Sequence, residues 1–472
     1  MKKLLLLIPI MLVVILSSCS VGPDFQKPQI DTLQTYRFDT LKVDSIANLE
    51  WWNLFDDAMI DTLVLTALEQ NKDLHIAVAR IEEARAGLTF TGADRYPRLD
   101  IQAGAGRGNF AGGQKFASEV NTFSVTPALS WEIDFWGKYR RATEAARANL
   151  LASEYSLRTV QIGLITEVIG TYFQLLDYKQ RLDIANATMK SREESLNIIQ
   201  QRYDKGIIPE LDLNQAQIQR EIAAASVPVF ERFVSKTENA LSILLGKNPG
   251  VIESGKSLRE QQTPPEIPVG IPSSLLLRRP DVLQAENLLH AQNARVGVAT
   301  AQLYPSFSLT ALLGVASDDL STLTSNGLAW SVGGSLLGPL FNFNKNTARV
   351  EVEEAKTRQS LFNYEKTVLN AFREVEDALV DIDTYKREVE AKERQVRAAK
   401  NAESLSRLRY NQGVASYLEV LDTERTSFSS ALDLSQTKQS YLTTYIKLYK
   451  ALGGGWVSEK EQEDTVDSIE TE

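Results

Sequence analysis

The side chains able to do chemistry in this 472-residue sequence are few and scattered. His75 and His290 are its two histidines, and neither has a cysteine or acid at the spacing of a metal ligand. No nucleophile elbow, P-loop or HExxH stretch occurs, so the groups for nucleophilic, phosphoryl-transfer or zinc chemistry are missing. One acidic pair has a defined geometry. Glu419 and Asp422, three apart, share a face of a helix. Asp212 occupies the place of Glu419 in an earlier copy of the same motif. Taken alone, carboxylates so placed are solvated acids on a helix's first turn, where they favour its positive end. The pattern excludes an enzyme, and no cofactor is expected.

Cys19, the only cysteine, has its own context. Lys2 and Lys3 form a basic start, Leu4 to Leu16 an apolar run, and Leu16-Ser17-Ser18-Cys19 closes it. The run is too short to span a bilayer and is built as an export signal. It resembles bacterial lipoprotein signals, which implies that residues 1–18 are removed and Cys19 becomes a lipidated N-terminus. Such an anchor holds a chain stably on a membrane. No later window is apolar enough for a spanning helix, so any crossing of a bilayer must use strands. The formal net charge of −10 argues against nucleic acid as a partner.

The acids belong to the stretch Arg409–Asp422, RYNQGVASYLEVLD, which has a twin at Arg202–Gln215, RYDKGIIPELDLNQ. The offset of 207 residues (409 − 202) marks an internal duplication. Each copy holds a helix, a pair of strands, a long helix, this tip and a return helix. The first copy is assigned to residues 61–262 and the second to 263–456. Residues 19–60 form a lipidated N-terminal extension, and 457–472 an acidic disordered tail. In the long helices, apolar residues recur every seventh position: Val168, Leu175, Leu182, Met189, Leu196 and Tyr203, then Val368, Val375, Ile382, Val389 and Val396. That row predicts coiled-coil packing, as a rod or as a wall of helices side by side.

After Tyr96-Pro97 and Tyr304-Pro305 the apolar period changes to two. Leu99, Ile101 and Ala103 predict one strand and Phe123 to Phe135 another, with a glycine-rich loop Gly104–Asn121 between them. Phe307 to Val315 and Leu328 to Val332 predict the second pair. Four strands cannot close a barrel alone. They form either a small soluble sheet or one share of a barrel completed by association; the lipid signal favours the second.

Taken in order, these motifs resemble the TolC-type outer membrane factors, lipoprotein branch. The carriers are Trp51 to Asp57, Asn71 to Ala86, Phe135-Trp136-Gly137-Lys138, Arg278 to Val282, both Arg-Tyr tips and the ending Leu452-Gly453-Gly454-Gly455-Trp456. The resemblance implies an α+β membrane protein in which long antiparallel coiled-coil helices form a periplasmic α-barrel. A homotrimer then gives a twelve-strand β-barrel in the outer membrane, and the later part of residues 19–60 becomes an equatorial segment. It further implies a passive efflux duct joined through a periplasmic adaptor to an inner-membrane pump, of RND type.

By the same resemblance, Glu419, Asp422, Tyr410 and Asp212 fall at the periplasmic aperture. Gly206, Ile207, Gly413 and Val414 fall where the adaptor docks. The family's turn arginine is Ala415 here, so its latch needs another partner. Met1, Met11, Met59 and Met189 do not cluster, which weakens a copper or silver duct. A protein-secretion duct and a non-conducting coiled-coil lipoprotein are the competing functions.

Overall fold

The computed structural model describes residues 20–28, 51–111, 114–264, 278–325 and 327–454. Cys19, the signal segment, residues 29–50 and 265–277 and the acidic tail lie outside the described residues. A 3₁₀ turn, Trp51–Phe55, precedes α1 (Ala58–Gln70), α2 (Lys72–Ala93), β1 (Arg98–Ala111) and β2 (Gln114–Ile133). Then come α3 (Lys138–Asp204), α4 (Glu210–Leu244), α5 (Pro280–Ala301), β3 (Ser306–Ser317), β4 (Leu328–Leu337), α6 (Lys345–Asn411) and α7 (Tyr417–Ala451).

The duplication is visible in helix lengths. The first helix after each opening cap has 22 residues (α2, α5), the long helix 67 (α3, α6) and the return helix 35 (α4, α7). At 1.5 Å per residue the long helices reach about 100 Å. Asp134 starts α3 by accepting the N–H groups of Tyr139 (3.0 Å) and Arg140 (2.8 Å), donors a helix end leaves free. α4 runs through Pro228, which takes one N–H out of its ladder without ending it.

Each return helix ends the same way. Gly246 and Gly453 have φ of 67° and 90°, the left-handed conformation that closes a helix. Lys247 N–H then reaches Ser242 O (2.9 Å), and Gly454 N–H reaches Tyr449 O (2.8 Å). The last helical carbonyls take side-chain donors from matching places in the two copies. Asn71 Nδ2 donates to Leu244 O at 2.8 Å, and Arg279 Nη1 to Ala451 O at 3.1 Å. Arg279 is also held by Asp281 and Glu374.

Both Gly206 and Gly246 have positive φ, yet their surroundings differ. A Cβ on Gly246 would stand within 2.2 Å of Gln70 O, whereas one on Gly206 meets nothing within 4 Å. Gly206→Ala is expected to cost only the left-handed strain, roughly 1–2 kcal/mol. Gly246→Ala must also push α1 away from the end of α4. Its thermal midpoint should fall well below that of Gly206→Ala, and equal shifts would refute the close approach.

The heptad rows are buried only in part. Val168, Leu175, Val368 and Val375 are fully enclosed, but Leu182, Met189, Val389 and Val396 are half-exposed in the single chain. Further along, the enclosed positions are Ala185, Arg192 and Ile199 on α3, and Ala399 and Ser406 on α6. That row stands three positions beyond the first; on α6 it continues Ala371 and Ala378, already enclosed beside Val368 and Val375, so burial passes between the two rows of one heptad pattern.

The four strands form one antiparallel sheet in the order β1-β2-β3-β4. The expected loop Gly104–Asn121 is corrected: β1 continues to Ala111 and β2 starts at Gln114. Gly104 pairs with Ser124 and Gly106 with Thr122, so the ladder satisfies this backbone although glycine is a poor strand former. The register sorts side chains by face. Leu99, Leu129, Ala311 and Val332 lie in one row across the sheet, and Arg98, Ser130, Thr310 and Gly333 in the next. The apolar members Leu99, Ile101, Leu313, Trp330 and Val332 are exposed. No helix among the described residues is long and apolar enough to cross a membrane.

Residues cluster into two compact units, each with segments of both copies. One contains the sheet with Ala79–Tyr155 and Leu283–Thr367; the other contains Ser156–Val282 and Val368 onward. The second holds an aromatic core. There Trp51 and Trp52, each 1% exposed, pack with Phe55, Phe173 and Tyr449. Asp57 caps α1 and accepts from Gln261 Nε2 at 2.6 Å.

Candidate functional site

The two tips are built alike. Asp204 and Asn411 end the long helices, and Gly206 (φ 70°) and Gly413 (φ 77°) turn the chain. Ile207 N–H bonds Arg202 O and Val414 N–H bonds Arg409 O, at 2.9 and 3.0 Å, closing each tip with the same motif. Ile207 and Leu211 on one tip, and Val414 and Leu418 on the other, are apolar and exposed.

Behind the turns the tips touch. Tyr417, Val420 and Leu421 pack on Ile199, Leu213 and Ala216. Tyr410 lies 5.1 Å from Tyr417, ring to ring, and Arg202 sits 5.2 Å from the Tyr410 centroid. Arg202 Nη2 also donates to Asn411 Oδ1 at 2.9 Å, so one cation of the first tip holds two residues of the second. Burial and the neighbouring Asp212 raise the Tyr410 pKa against the opposing pull of Arg202. Asp212 is half-buried on the first turn of α4, and burial raises its pKa. Glu419 pairs with Arg409 at 3.2 Å, while Asp422 is exposed.

Four turns above the tip, two arginines connect all four helices. Arg192 of α3 donates to Gln219 O of α4 at 2.7 Å and lies 5.2 Å from the Phe428 ring of α7. Arg407 of α6 holds Glu424 of α7 at 2.9 Å and Ser191 of α3 at 3.1 Å. Both line a cavity of about 410 Å³ with Glu403 and Phe428. Glu424 is 4% exposed; burial raises its pKa, and Arg407 and Arg192 restrain the rise.

That shift has a sign. With a raised folded-state pKa, the folded chain keeps a proton that the unfolded chain releases as pH climbs. The Glu424 contribution is thus most favourable in acid, and it diminishes from pH 4.5 upward through the raised value. Glu424→Gln lacks this dependence. Its melting temperature relative to wild type is expected to rise between pH 4.5 and neutrality; a constant difference across that range would contradict the assignment.

This is packing machinery, a duplicated sheet-and-helix unit ending in paired tips. The outer membrane efflux protein profile matches residues 63–247 and 271–454. The chain belongs to the outer membrane efflux protein family. The cation efflux system protein CusC of Escherichia coli O157:H7 is 35% identical over 461 residues, covering 95% of this chain and 98% of that protein. The toluene efflux pump outer membrane protein TtgI of Pseudomonas putida is 35% identical over 464 residues, covering 95% and 98%. The solved outer-membrane channel OprN superposes with a TM-score of 0.85 at 31% identity, covering 93% of this chain and 100% of that one. The protein is an outer membrane efflux channel component and not an enzyme.

Within this efflux protein, Tyr410 and Asp212 lie together at the contact of the two tips and Glu419 pairs within its own tip, while Asp422, Gly206, Ile207, Gly413 and Val414 lie on the exposed sides. Four participants escaped the sequence reading: Arg192, Arg202, Arg407 and Glu424. Arg192 had a signal, since Ala185, Arg192 and Ile199 form a seven-residue row of their own. Arg202 lay within the recognised Arg-Tyr motif but was read only as a marker.

Proposed function

We propose that the chain forms, as a homotrimer, the outer membrane exit duct of a tripartite efflux system. Three copies supply twelve strands, enough for a closed barrel, and six tips that gather at the periplasmic end. The carrying observation is the sheet itself: one face is apolar and exposed, and both β1 and β4 are free edges. An apolar face suits lipid, and edges in a membrane must be paired. Cys19 carries the lipid anchor.

Glu419 and Asp422 contribute to a ring of carboxylates at the aperture, with Tyr410 and Asp212 at the tip contact behind it. Gly206, Ile207, Gly413 and Val414 present the docking edge for a periplasmic adaptor, supported by the matching exposed apolar pairs on the two tips. An inner-membrane pump of RND type supplies the energy, and conduction here is passive. Equal identity to a cation and a toluene efflux protein leaves cargo choice to that pump. Small molecules are the cargo class.

Planar-bilayer recording tests the reading. Wild type is expected to give a cation-preferring conductance. The Glu419→Gln, Asp422→Asn double variant should conduct with that preference reduced. Silence from both proteins would overturn the duct.

A further inference from the structure

We propose that the cavity at the helix-side end of the sheet holds the glyceryl ester head and first acyl segment of the lipid on Cys19. The inference rests on the lipid-anchor reading above and adds a seat for the lipid on the protein. The cavity measures about 390 Å³. Phe135, Trp136, Tyr304, Pro305 and Leu337 give it an apolar and aromatic wall. Its other edge is charged, with Lys138 bound to Glu132 at 2.8 Å. A wall half aromatic and half charged matches the boundary between ester groups and acyl chain, where tryptophan and tyrosine settle at membrane interfaces. The position agrees, because the cavity lies where β2, β3 and β4 meet the helices, at the end of the sheet's exposed apolar face.

The N-terminal strap leads to it. Residues 20–28 run along α3 and α5, tied at Val21, Pro23, Asp24, Phe25 and Lys27. Val21 N–H donates to Trp136 O at 3.1 Å, and Asn293 Nδ2 to Pro23 O at 3.0 Å. Arg141 pairs with Asp24 at 2.5 Å, and Lys27 with Glu286 at 2.7 Å. Between them the Phe25 ring stacks on His290 at 4.5 Å, and His290 Nε2 lies 2.9 Å from Glu144 Oε1. Two glycines admit the strap backbone. A Cβ on Gly137 would stand 2.9 Å from Ser20 Cα, and one on Gly297 would stand 3.0 Å from Val21 O. Gly137 is flanked in sequence by the cavity residues Trp136 and Lys138. Ser20 is therefore fixed beside the cavity mouth. Its preceding residue, whose Cα is about 3.8 Å away across one peptide bond, carries the lipid.

The test uses the full protein in cells supplied with a diazirine-bearing palmitate, irradiated before purification, and cross-linked peptides identified by mass. The expected product joins the N-terminal Cys19 peptide, through its own lipid, to peptides containing Trp136 or Tyr304. Leu337→Trp, which fills the cavity and leaves the strap contacts alone, should reduce that product at least about fivefold. Gly297→Val, which displaces the strap, should do the same. Label on Cys19 cross-linked only to phospholipid, or to strand residues far from the cavity, would overturn the seat and leave the anchor standing. Wild type carrying no more label than Cys19→Ala would overturn the anchor, and the seat with it.

Discussion

Trp51→Ala should be among the most damaging single substitutions in this chain, costing about 3–5 kcal/mol of stability. Trp51 is 1% exposed, stacks on Tyr449 at 4.6 Å and 15°, and meets Trp52 edge-on at 6.0 Å. Its core is shared by the opening 3₁₀ turn, α1, α3 and α7, segments far apart in sequence. A cavity there cannot be closed by one helix settling, because each wall is held by a different element. Urea or thermal unfolding in detergent gives the measurement. A loss below about 1 kcal/mol, the scale of a surface change, would show that the aromatic cluster does not hold these segments together.

Arg407→Ala should loosen the tips as well as weaken the fold. The guanidinium binds Glu424 and Glu403 on one side and Ser191 on the other, so it ties α6 and α7 to α3. Arg407 is half-exposed and Glu424 buried, so the cost falls below the roughly 3 kcal/mol of a fully buried pair, much of it from the acid left behind. Glu424 then keeps the weaker attraction of Arg192, across the same cavity. Larger or more frequently open single-channel conductance is expected than in wild type. Arg407→Lys should recover part of the closure, since an ammonium keeps the charge but cannot span both partners as a planar fork does. Wild-type conductance in Arg407→Ala would confine this residue to stability.

Much of the architecture was legible because the sequence states it twice. The proline-free run from Tyr139 to Lys205, the Gly after each Arg-Tyr and the Tyr-Pro pairs placed the first long helix, both tips and the starts of β1 and β3 within a residue or two, whereas β2 starts nine residues before Phe123. Glycine-rich β1 was misread because propensity treats Gly104 and Gly106 as loop residues, while the neighbouring strand supplies the hydrogen bonds that keep them extended. The seam was only partly legible. Seven-residue spacing says that a row exists, but which of the two rows of a heptad pattern is buried further along depends on the helices packed against it. The arginine clasp was the least legible part. Arg192, Arg407 and Glu424 read as ordinary polar residues on charged helices, and their burial depends on contacts between segments up to 216 positions apart.

The sheet order β1-β2-β3-β4, antiparallel throughout, leaves an ascending strand at one edge and a descending strand at the other. Any whole number of copies placed head to tail in a ring therefore meets with correct polarity at each seam, and no parallel mismatch arises. Strand parity permits closure by three copies but does not select three over two or four. Selection falls to the helical wall, where the angle subtended by each copy's four helices fixes how many complete a turn. Exchanging the α3–α4 and α6–α7 hairpins for ones of different girth should alter the copy number, whereas exchanging the strands should preserve it.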